Sequence, residues 1–494
     1  MLDHLMNESN ITLTENGAVT HSTTGSDCLD FFASAGALRS ASEGQILKLF
    51  IRAYNEDADS AMKLIFFARD IRGGLGERRV FRTALKWLAE NKPESARKNL
   101  ESIAEFGRYD DLLVLIGTPL EADAVQLIDA RLGMDIAAMR LSKPVSLLAK
   151  WLPSVNASNK ETVRTAKRLA KLLKMSEAEY RKHLSELRAY LRIIENALRE
   201  RDYSFDYEKQ PSRALFKYRE AFRRNDLERY SAFLTASIAG KAKLNASNVY
   251  PYELVQTYLA SSVFGRHADI PEKERAALNA TWEALPDYGA DGDMLAVVDT
   301  SGSMYSGSAG APLPAAVAFS LGLYFAERNK GAFRGHFIEF SRKAKLIKLK
   351  GETFCDRLQY AASFCEVANT DVDAVFNLIL RTAVKNKLPQ QELPQKLVFI
   401  SDMEFDMCTN NSSLSNFENA KRRFAEHGYA LPSVIFWNVA SRHGHQPVRM
   451  NEQGVTLVSG ASPVLFSMVA GGSITPMKFM LNVLESERYA GIAA

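Results

Sequence analysis

The sequence predicts a two-part α + α/β protein: an N-terminal α-helical solenoid, ring-like or horseshoe-shaped, followed by a doubly wound parallel-sheet domain. Three observations carry that expectation. From about 28 to 265, apolar residues recur at three and four positions, and Gly and Pro are scarce within segments. After about 290, short β-branched runs alternate with helical stretches of roughly 10–16 residues, the pattern of βα units. Between them, near 266–290, the stretch HADIPEKERAALNATWEALPDYGADGD holds two prolines, two glycines and many acids and reads as an exposed connection. With 494 residues the chain has room for two to four domains. The expected divisions are an N-terminal arm (1–27), a helical domain (28–265), a linker (266–290) and an α/β domain (291–494).

In the helical part, Ser158-Asn-Lys-Glu161 spells a capping box: the Ser hydroxyl accepts from an orphan backbone N–H and the Glu reaches back for another. Behind it Val163, Ala166, Leu169, Ala170, Leu172 and Leu173 form an apolar stripe, with Arg164, Lys167, Lys171 and Lys174 on a neighbouring face. A second box, Ser176 to Glu179, opens a helix carrying Tyr180, Leu184, Leu187, Leu191 and Ile194. Short antiparallel helices joined by tight turns build a solenoid, although no fixed-period repeat is present.

In the α/β part, strands are expected at 294–299, 335–340, 344–349, 396–402, 433–439 and 454–460. Helices are expected at 313–328, 371–387 and 416–427. Ligands of such sheets sit at the carboxyl ends of strands, where the strand order reverses.

Composition narrows the class. Apolar residues make up 46% and charged residues 24%, which excludes a disordered or fibrous chain. No apolar run approaches the length of a membrane span, and MLDHLMNESNITLTENG shows no basic region followed by an apolar stretch. The four cysteines, Cys28, Cys355, Cys365 and Cys408, match no zinc or disulfide framework. The expectation is a reduced, cytoplasmic protein with no membrane partner, most simply a monomer.

The net charge of +4 hides an asymmetry: residues 140–243 hold 24 Lys and Arg against 12 Asp and Glu, so this stretch carries +12 and the remainder −8. A basic stretch is a candidate polyanion footprint. Lys143, Lys150, Arg164, Lys167, Arg168 and Lys171 flank Trp151, and Arg213, Lys217, Arg219, Arg223 and Arg224 interleave with Phe216, Tyr218 and Phe222. Cations neutralise phosphates and aromatic faces stack unpaired bases. The plainer alternatives are core packing for the aromatics, and ion pairs of Arg213 and Arg219 with Asp206, Glu208 or Glu220.

The sharpest local signal is Asp299-Thr-Ser301-Gly-Ser303, directly after the strand MLAVV. A carboxylate and two hydroxyls at alternating positions can converge on one point, and all are hard oxygen donors of the kind Mg²⁺ prefers. Thr370 and Asp402 fall at two further strand ends and would complete the ring, leaving a position for a partner carboxylate or an anion. Other chemistries fit less well. An aspartyl-phosphate phosphatase wants an acid where Ser301 stands. An aspartic protease wants paired loops, a serine hydrolase wants Gly-x-Ser-x-Gly, and no P-loop is present. No enzymatic activity is expected.

The loop Asp299 to Ser303, the Thr370 loop and the Asp402 strand end together resemble the metal-ion-dependent adhesion site of a von Willebrand factor A domain, over about 290–490. The resemblance implies Mg²⁺ held by Asp299, Ser301, Ser303, Thr370 and Asp402. The second loop departs from the pattern, with Asn369 where many relatives carry Gly. FFARDIRGGLGERRVFRTAL (66–85), GRYDDLL (107–113), VSLLAKWLPS (145–154), PSRALFKYREAF (211–222) and NVYPYELV (248–255) resemble a little-characterised family in which HEAT-like helices precede an A domain. That family is similar in plan to TROVE-module proteins, the Ro ribonucleoprotein autoantigen family, which bind small structured RNA on the outside of a helical ring and single-stranded ends in its hole. The resemblance implies an RNA-binding ribonucleoprotein component. The alternative function is a protein–protein adaptor whose partner gives a carboxylate to the metal.

Two motifs stand apart. The glycines of Arg72-Gly-Gly-Leu-Gly-Glu77, with arginines nearby, would suit a phosphate cradle, but no strand precedes them and a helix–helix turn is the expectation. His443-Gly-His445 is a weak metal pair, expected to lie on a solvated loop.

Overall fold

A computed structural model describes residues 1–260, 269–289, 293–307, 311–340, 343–364, 370–407, 415–469 and 475–494. Helices fill the chain from Asp27–Ala35 to Pro251–Ala260, and a six-stranded sheet follows. Many helices begin on a side chain that accepts an orphan amide, among them those capped by Ser26, Asp57 and Ser176. The helix Lys160–Leu172 is capped by Asn159 rather than Ser158: the Asn side chain, one residue closer, accepts from Thr162 N at 3.0 Å. Its apolar stripe lies inward and Arg164, Lys167 and Lys171 lie outward. Some helices are very short, Leu148–Trp151 and Ser102–Phe106 among them, which is why no fixed repeat is visible in the sequence.

The Gly-rich stretch is a turn between Ala58–Arg69 and Arg78–Asn91. Its amides are spent internally: Leu75 N donates to Phe67 O, Gly76 N to Asp70 O and Glu77 N to Ala68 O. Gly76 has φ +69°, which glycine adopts without strain. Beside this turn lies a buried charge network. Arg69 Nε and Arg82 Nε bond the two oxygens of Asp111 at 2.8 and 2.5 Å, and Asp111 is fully buried. The motifs RDIRGGLGERR and GRYDDLL therefore meet as one structural unit.

An N-terminal hairpin pairs β1 (Ile11–Leu13) with β2 (Val19–His21). The main sheet comprises β3 (Met294–Asp299), β4 (His336–Phe340), β5 (Lys345–Lys348), β6 (Lys396–Ser401), β7 (Ser433–Asn438) and β8 (Val455–Ser459), in the order β5-β4-β3-β6-β7-β8. All pairs are parallel except β4 with β5. Only four residues separate those two strands, too few for the crossover that parallel pairing needs, so the sheet is mixed at this edge. β3 and β6 are buried along almost their whole length, as a sheet covered on both faces requires.

The stretch read as an exposed connection carries a helix, Glu272–Glu283, whose Ala277, Leu278, Ala280 and Trp282 are buried. Trp282 stacks on Phe354 with centroids 4.0 Å apart and donates from Nε1 to Glu327 Oε2 at 2.7 Å. Its charged residues mask two apolar surfaces: Ala277 and Ala280 pack on the helical domain's Phe222 and Tyr230 cluster, while Leu278 and Trp282 join the core shared with the sheet domain.

Both chain ends fasten the halves together. The N-terminal arm lies on the sheet domain: Thr14 Oγ1 donates to Phe405 O at 2.6 Å, and Thr20 Oγ1 to Gln446 O at 2.7 Å. Arg488 and Tyr489 reach back to Asp70. The helix Asp27–Ala35 ends at Gly36, where a Cβ would come within 2.4 Å of the Ser459 carbonyl oxygen, so only glycine permits this approach. Among the described residues, Cys28 and Cys355 are buried free thiols, and no helix is long and apolar enough to cross a membrane. Cys365, Asn369 and Cys408 lie outside the described residues.

Removing the shared partner tests the buried network. Asp111→Ala strands the Arg69 guanidinium, whose side chain is 3% exposed, and leaves Arg82 only its ion pair with Asp110, so it is expected to cost about 3–5 kcal/mol. Arg164→Ala breaks only an exposed pair with Glu161 and is expected to cost less than about 1 kcal/mol. Urea unfolding of the two variants side by side checks the contrast.

Candidate functional site: an oxygen-lined crevice and a basic cavity

The strand register builds the crevice. Val298 pairs with Ile400, so Asp299 and Ser401 emerge together at the carboxyl ends of β3 and β6, with Asp402 next in the chain. This is where the strand order reverses. Asp299 Oδ1 accepts from Ser301 N at 2.8 Å and Oδ2 from Ser401 Oγ at 2.5 Å. The Ser301 and Ser303 hydroxyl oxygens are 3.0 Å apart. Asp402 Oδ2 is 3.6 Å from Arg442 Nη2, which also donates to the Ser303 carbonyl. Thr370 is buried, and its carbonyl accepts from Asp406 N at 2.9 Å, tying its loop to the segment that carries Asp402.

Asp299, Thr370 and Asp402 are at most 1% exposed. The Thr370 hydroxyl and Asp402 Oδ2 are buried with no hydrogen-bond partner. Buried polar groups are seldom left so, and such orphans mark where an ion or water belongs. Burial, together with the neighbouring Asp402 charge, pushes Asp299 up to about 7. Burial also raises Asp402, with Ser303 and Arg442 pulling it part of the way back. Two acids raised side by side by lost solvation are a site short of positive charge.

The second feature is a cavity of about 1900 Å³, beyond the roughly 300–1,000 Å³ of ordinary small-molecule pockets. Its wall runs through the helical domain from Arg69 to Tyr250 and is completed by Leu285, Tyr288, Tyr324 and Ser462–Val464 of the C-terminal half. Ten Lys and Arg line it against four acids, Asp110, Glu161, Glu195 and Glu200. Aromatic side chains stand among them: Arg108 lies 4.0 Å over the Trp151 ring and Lys217 4.8 Å over Tyr218. Among the described residues, no carboxylate lies within ion-pair distance of Arg72, Lys150 or Lys217, whereas Arg69 and Arg82 are held by Asp111.

Of the sequence-derived polyanion residues, Lys150, Arg213 and Lys217 line the cavity. Lys143, Arg164, Lys167, Arg168, Lys171, Arg219, Arg223 and Arg224 do not. Arg168 pairs with Glu121, Lys167 with Glu177, and Arg223 with Glu220. Arg213 and Arg219 are paired too, with Glu253 and Glu274 rather than the carboxylates nearest in sequence. Phe222 is fully buried, while Phe216 and Tyr218 are half-buried. Sequence reasoning missed Arg72, Arg78, Arg82, Arg108, Arg188 and Arg199 as wall residues. The arginines around the Gly-rich turn were the available signal.

A third grouping was seen only in part: the sequence showed the histidine pair His443 and His445 but not its partner Glu404. His443 Nδ1 and His445 Nε2 each lie 3.0 Å from Glu404 Oε1, so the expected solvated loop is fastened to a buried carboxylate. Burial pushes Glu404 up, but hydrogen bonds from His445, the Glu15 amide and His443 outweigh it and hold the carboxyl at about 2.

Fold and site thus define a class: a helical domain closed by a doubly wound α/β domain that carries hydroxyl and carboxylate donors at its switch point. The chain belongs to the family described as Domain of unknown function (DUF2828), whose model matches residues 14–131 and 124–288. A second model, Domain of unknown function (DUF7788), matches residues 293–479. Uncharacterized protein L728 of Acanthamoeba polyphaga mimivirus is 29% identical over 517 residues, covering 97% of this chain and 88% of the relative. The crystal structure of the Deinococcus radiodurans RO (RSR) protein is similar at 14% identity with a TM-score of 0.34, covering 89% of this chain and 93% of that one.

The raised acids set a pH dependence. In chelator, folded Asp299 keeps its proton up to about 7, whereas the unfolded carboxyl releases it near 3.8. Between those values the native state binds more protons, so stability falls as pH rises. Thermal midpoints from pH 4 to 8 in chelator should decline across this window, and Asp299→Asn should flatten the decline.

Proposed function

We propose that the chain is a non-catalytic RNA-binding protein, a ribonucleoprotein component, which holds single-stranded or small non-coding RNA in its basic cavity and carries Mg²⁺ at the α/β crevice. The observation that carries the RNA reading is the cavity itself: ten cations to four acids on one concave wall, with Trp151 and Tyr218 among them. Cations that lack a carboxylate partner are available to phosphates, and aromatic faces stack unpaired bases whatever their sequence. The size suits a polymer segment better than a small metabolite.

Asp299, Ser301, Ser303, Thr370 and Asp402 fit a hard cation. All are oxygen donors, four of them cluster at the ends of β3 and β6, and two of their buried atoms lack a partner. A bound Mg²⁺ would supply the positive charge that the two acids lack. The chain's own contribution is orientation: Ser401 and the Ser301 amide fix Asp299, and Arg442 steadies Ser303 and Asp402.

Filter binding of a single-stranded oligoribonucleotide across a salt series tests the cavity. Contacts from Arg72, Arg78, Lys150 and Lys217 predict a slope of about −3 in log K against log salt, at about −0.7 per phosphate. Charge reversal of Arg78, Lys150 and Lys217 together should weaken binding by about tenfold or more, and reversal of the outward Arg164 and Lys171 should leave it unchanged. The reading is abandoned if no complex forms at low salt, or if the outward variant is the one that loses RNA.

The cation has a separate test. Mg²⁺ at about 100 times its dissociation constant should stabilise the protein by about 2.7 kcal/mol over chelator. Asp299→Asn should remove that gain in a thermal melt. An equal gain in the variant would place the ion elsewhere.

A further inference from the structure

We propose that Glu404, His443 and His445 form a second metal site, for a divalent transition-metal ion of the zinc class. One ligand atom from each of the three lies within 4.8 Å of the others. Both imidazole nitrogens stand 3.0 Å from Glu404 Oε1. Two bonds of about 2.0–2.1 Å at a tetrahedral angle place their donor atoms about 3.3 Å apart, so each nitrogen needs to move from the oxygen by only a few tenths of an ångström, and the two nitrogens, within 4.8 Å of each other, would close to the same spacing through rotation of the exposed His443 ring.

The local fold prepares this arrangement. Glu404 leaves the end of β6 and is 1% exposed. Its Oε2 accepts from Glu15 N at 2.8 Å, which leaves Oε1 to face the imidazoles. His443 and His445 are two residues apart, and His445 N donates to His443 O at 2.8 Å, which holds the loop tight. His445 is buried, whereas the His443 side chain is 58% exposed. That exposure gives an ion an entry path and leaves room for water as a fourth ligand, as in open zinc sites with two His and one Glu. The donors also separate the two sites by chemistry: imidazole suits zinc and its neighbours, while the hydroxyl-rich crevice suits Mg²⁺.

Without a metal, the same atoms make a hydrogen-bonded clamp in which both imidazoles donate to one carboxylate oxygen. The two arrangements differ in stoichiometric uptake of metal. Competition of the full chain against a chromophoric zinc chelator should show one Zn²⁺ bound per chain, in the presence of excess Mg²⁺. His443→Ala removes an exposed side chain, so folding should survive, and it should weaken Zn²⁺ binding by about tenfold or more. His427→Ala, at an exposed histidine elsewhere, should leave the affinity unchanged. Co²⁺ in place of Zn²⁺ should give visible absorption bands of a low-coordinate nitrogen and oxygen site, lost in His443→Ala. No stoichiometric uptake by the unaltered chain, or uptake that is indifferent to His443→Ala, would overturn the proposal and leave the clamp.

Discussion

Parallel pairing of β3 with β6 forces two carboxylates together in a buried place. The register sets Asp299 beside Ser401, and the next residue in the chain is Asp402. Hydrogen bonds from Ser401 Oγ and Ser301 N hold Asp299 at short distance, so the acids cannot relax apart without breaking the strand ends. Bringing like charges together in a low-dielectric setting is costly, and it persists only where something offsets it. Arg442 offsets part for Asp402. The crevice at the switch point follows from this constraint, and so does the sensitivity of the C-terminal half to protons and cations.

The same short segment organises what surrounds it. The chain leaving β6 delivers Asp402 to the crevice, Glu404 to the two histidines, and the Glu404 and Phe405 carbonyls to the N-terminal arm. Met403, between the two acids, has φ +67°, a conformation uncommon for a residue with a side chain and one that the packing must impose. The arm therefore belongs physically to the sheet domain, although the first helices are separate from it in sequence. The return of Arg488 and Tyr489 to Asp70 makes the reverse connection.

How much of this was legible in the sequence depends on the distance over which each feature is decided. The strands and the Asp299 loop were legible because period and strand-end chemistry are local. The gathering of Asp299, Ser301, Ser303 and Asp402 was legible because an α/β sheet presents residues at these strand ends together, whereas Thr370 is tied to them only through Asp406. The cavity wall was not. A helix shows which face is apolar, but which polar face turns inward depends on the curvature of the whole domain. Arg164 and Lys171 share a face that turns outward, while Glu161, Thr162 and Thr165 of the same helix meet the cavity. Ion pairing is equally non-local, as Arg213 with Glu253 and Arg219 with Glu274 show. The helix Glu272–Glu283 was hidden for another reason: its flanking prolines and its charged first turn dominate the reading, while the buried Ala277, Leu278, Ala280 and Trp282 decide its place.

The choice of cation in the wall follows from its double duty. Eight of the ten lining cations are arginines. A guanidinium carries five donors in a plane, so one edge can satisfy a buried acid while another faces the cavity, which a lysine cannot do. Arg82 hydrogen-bonds Asp111 through Nε and lies in ion-pair contact with Asp110 through Nη2, and it still lines the space. Arg108 bonds Asp110 and lies over Trp151, which joins charge and aromatic surface in one platform. Arg188 spends its donors on Ala149 O, Leu152 O and Ser154 Oγ, bracing the short helix that holds Lys150 and Trp151. The arginines build the wall and the lysines are left to stand free on it. The positive field of the cavity is therefore a consequence of how the helical domain holds itself together, as well as a surface presented to an anion.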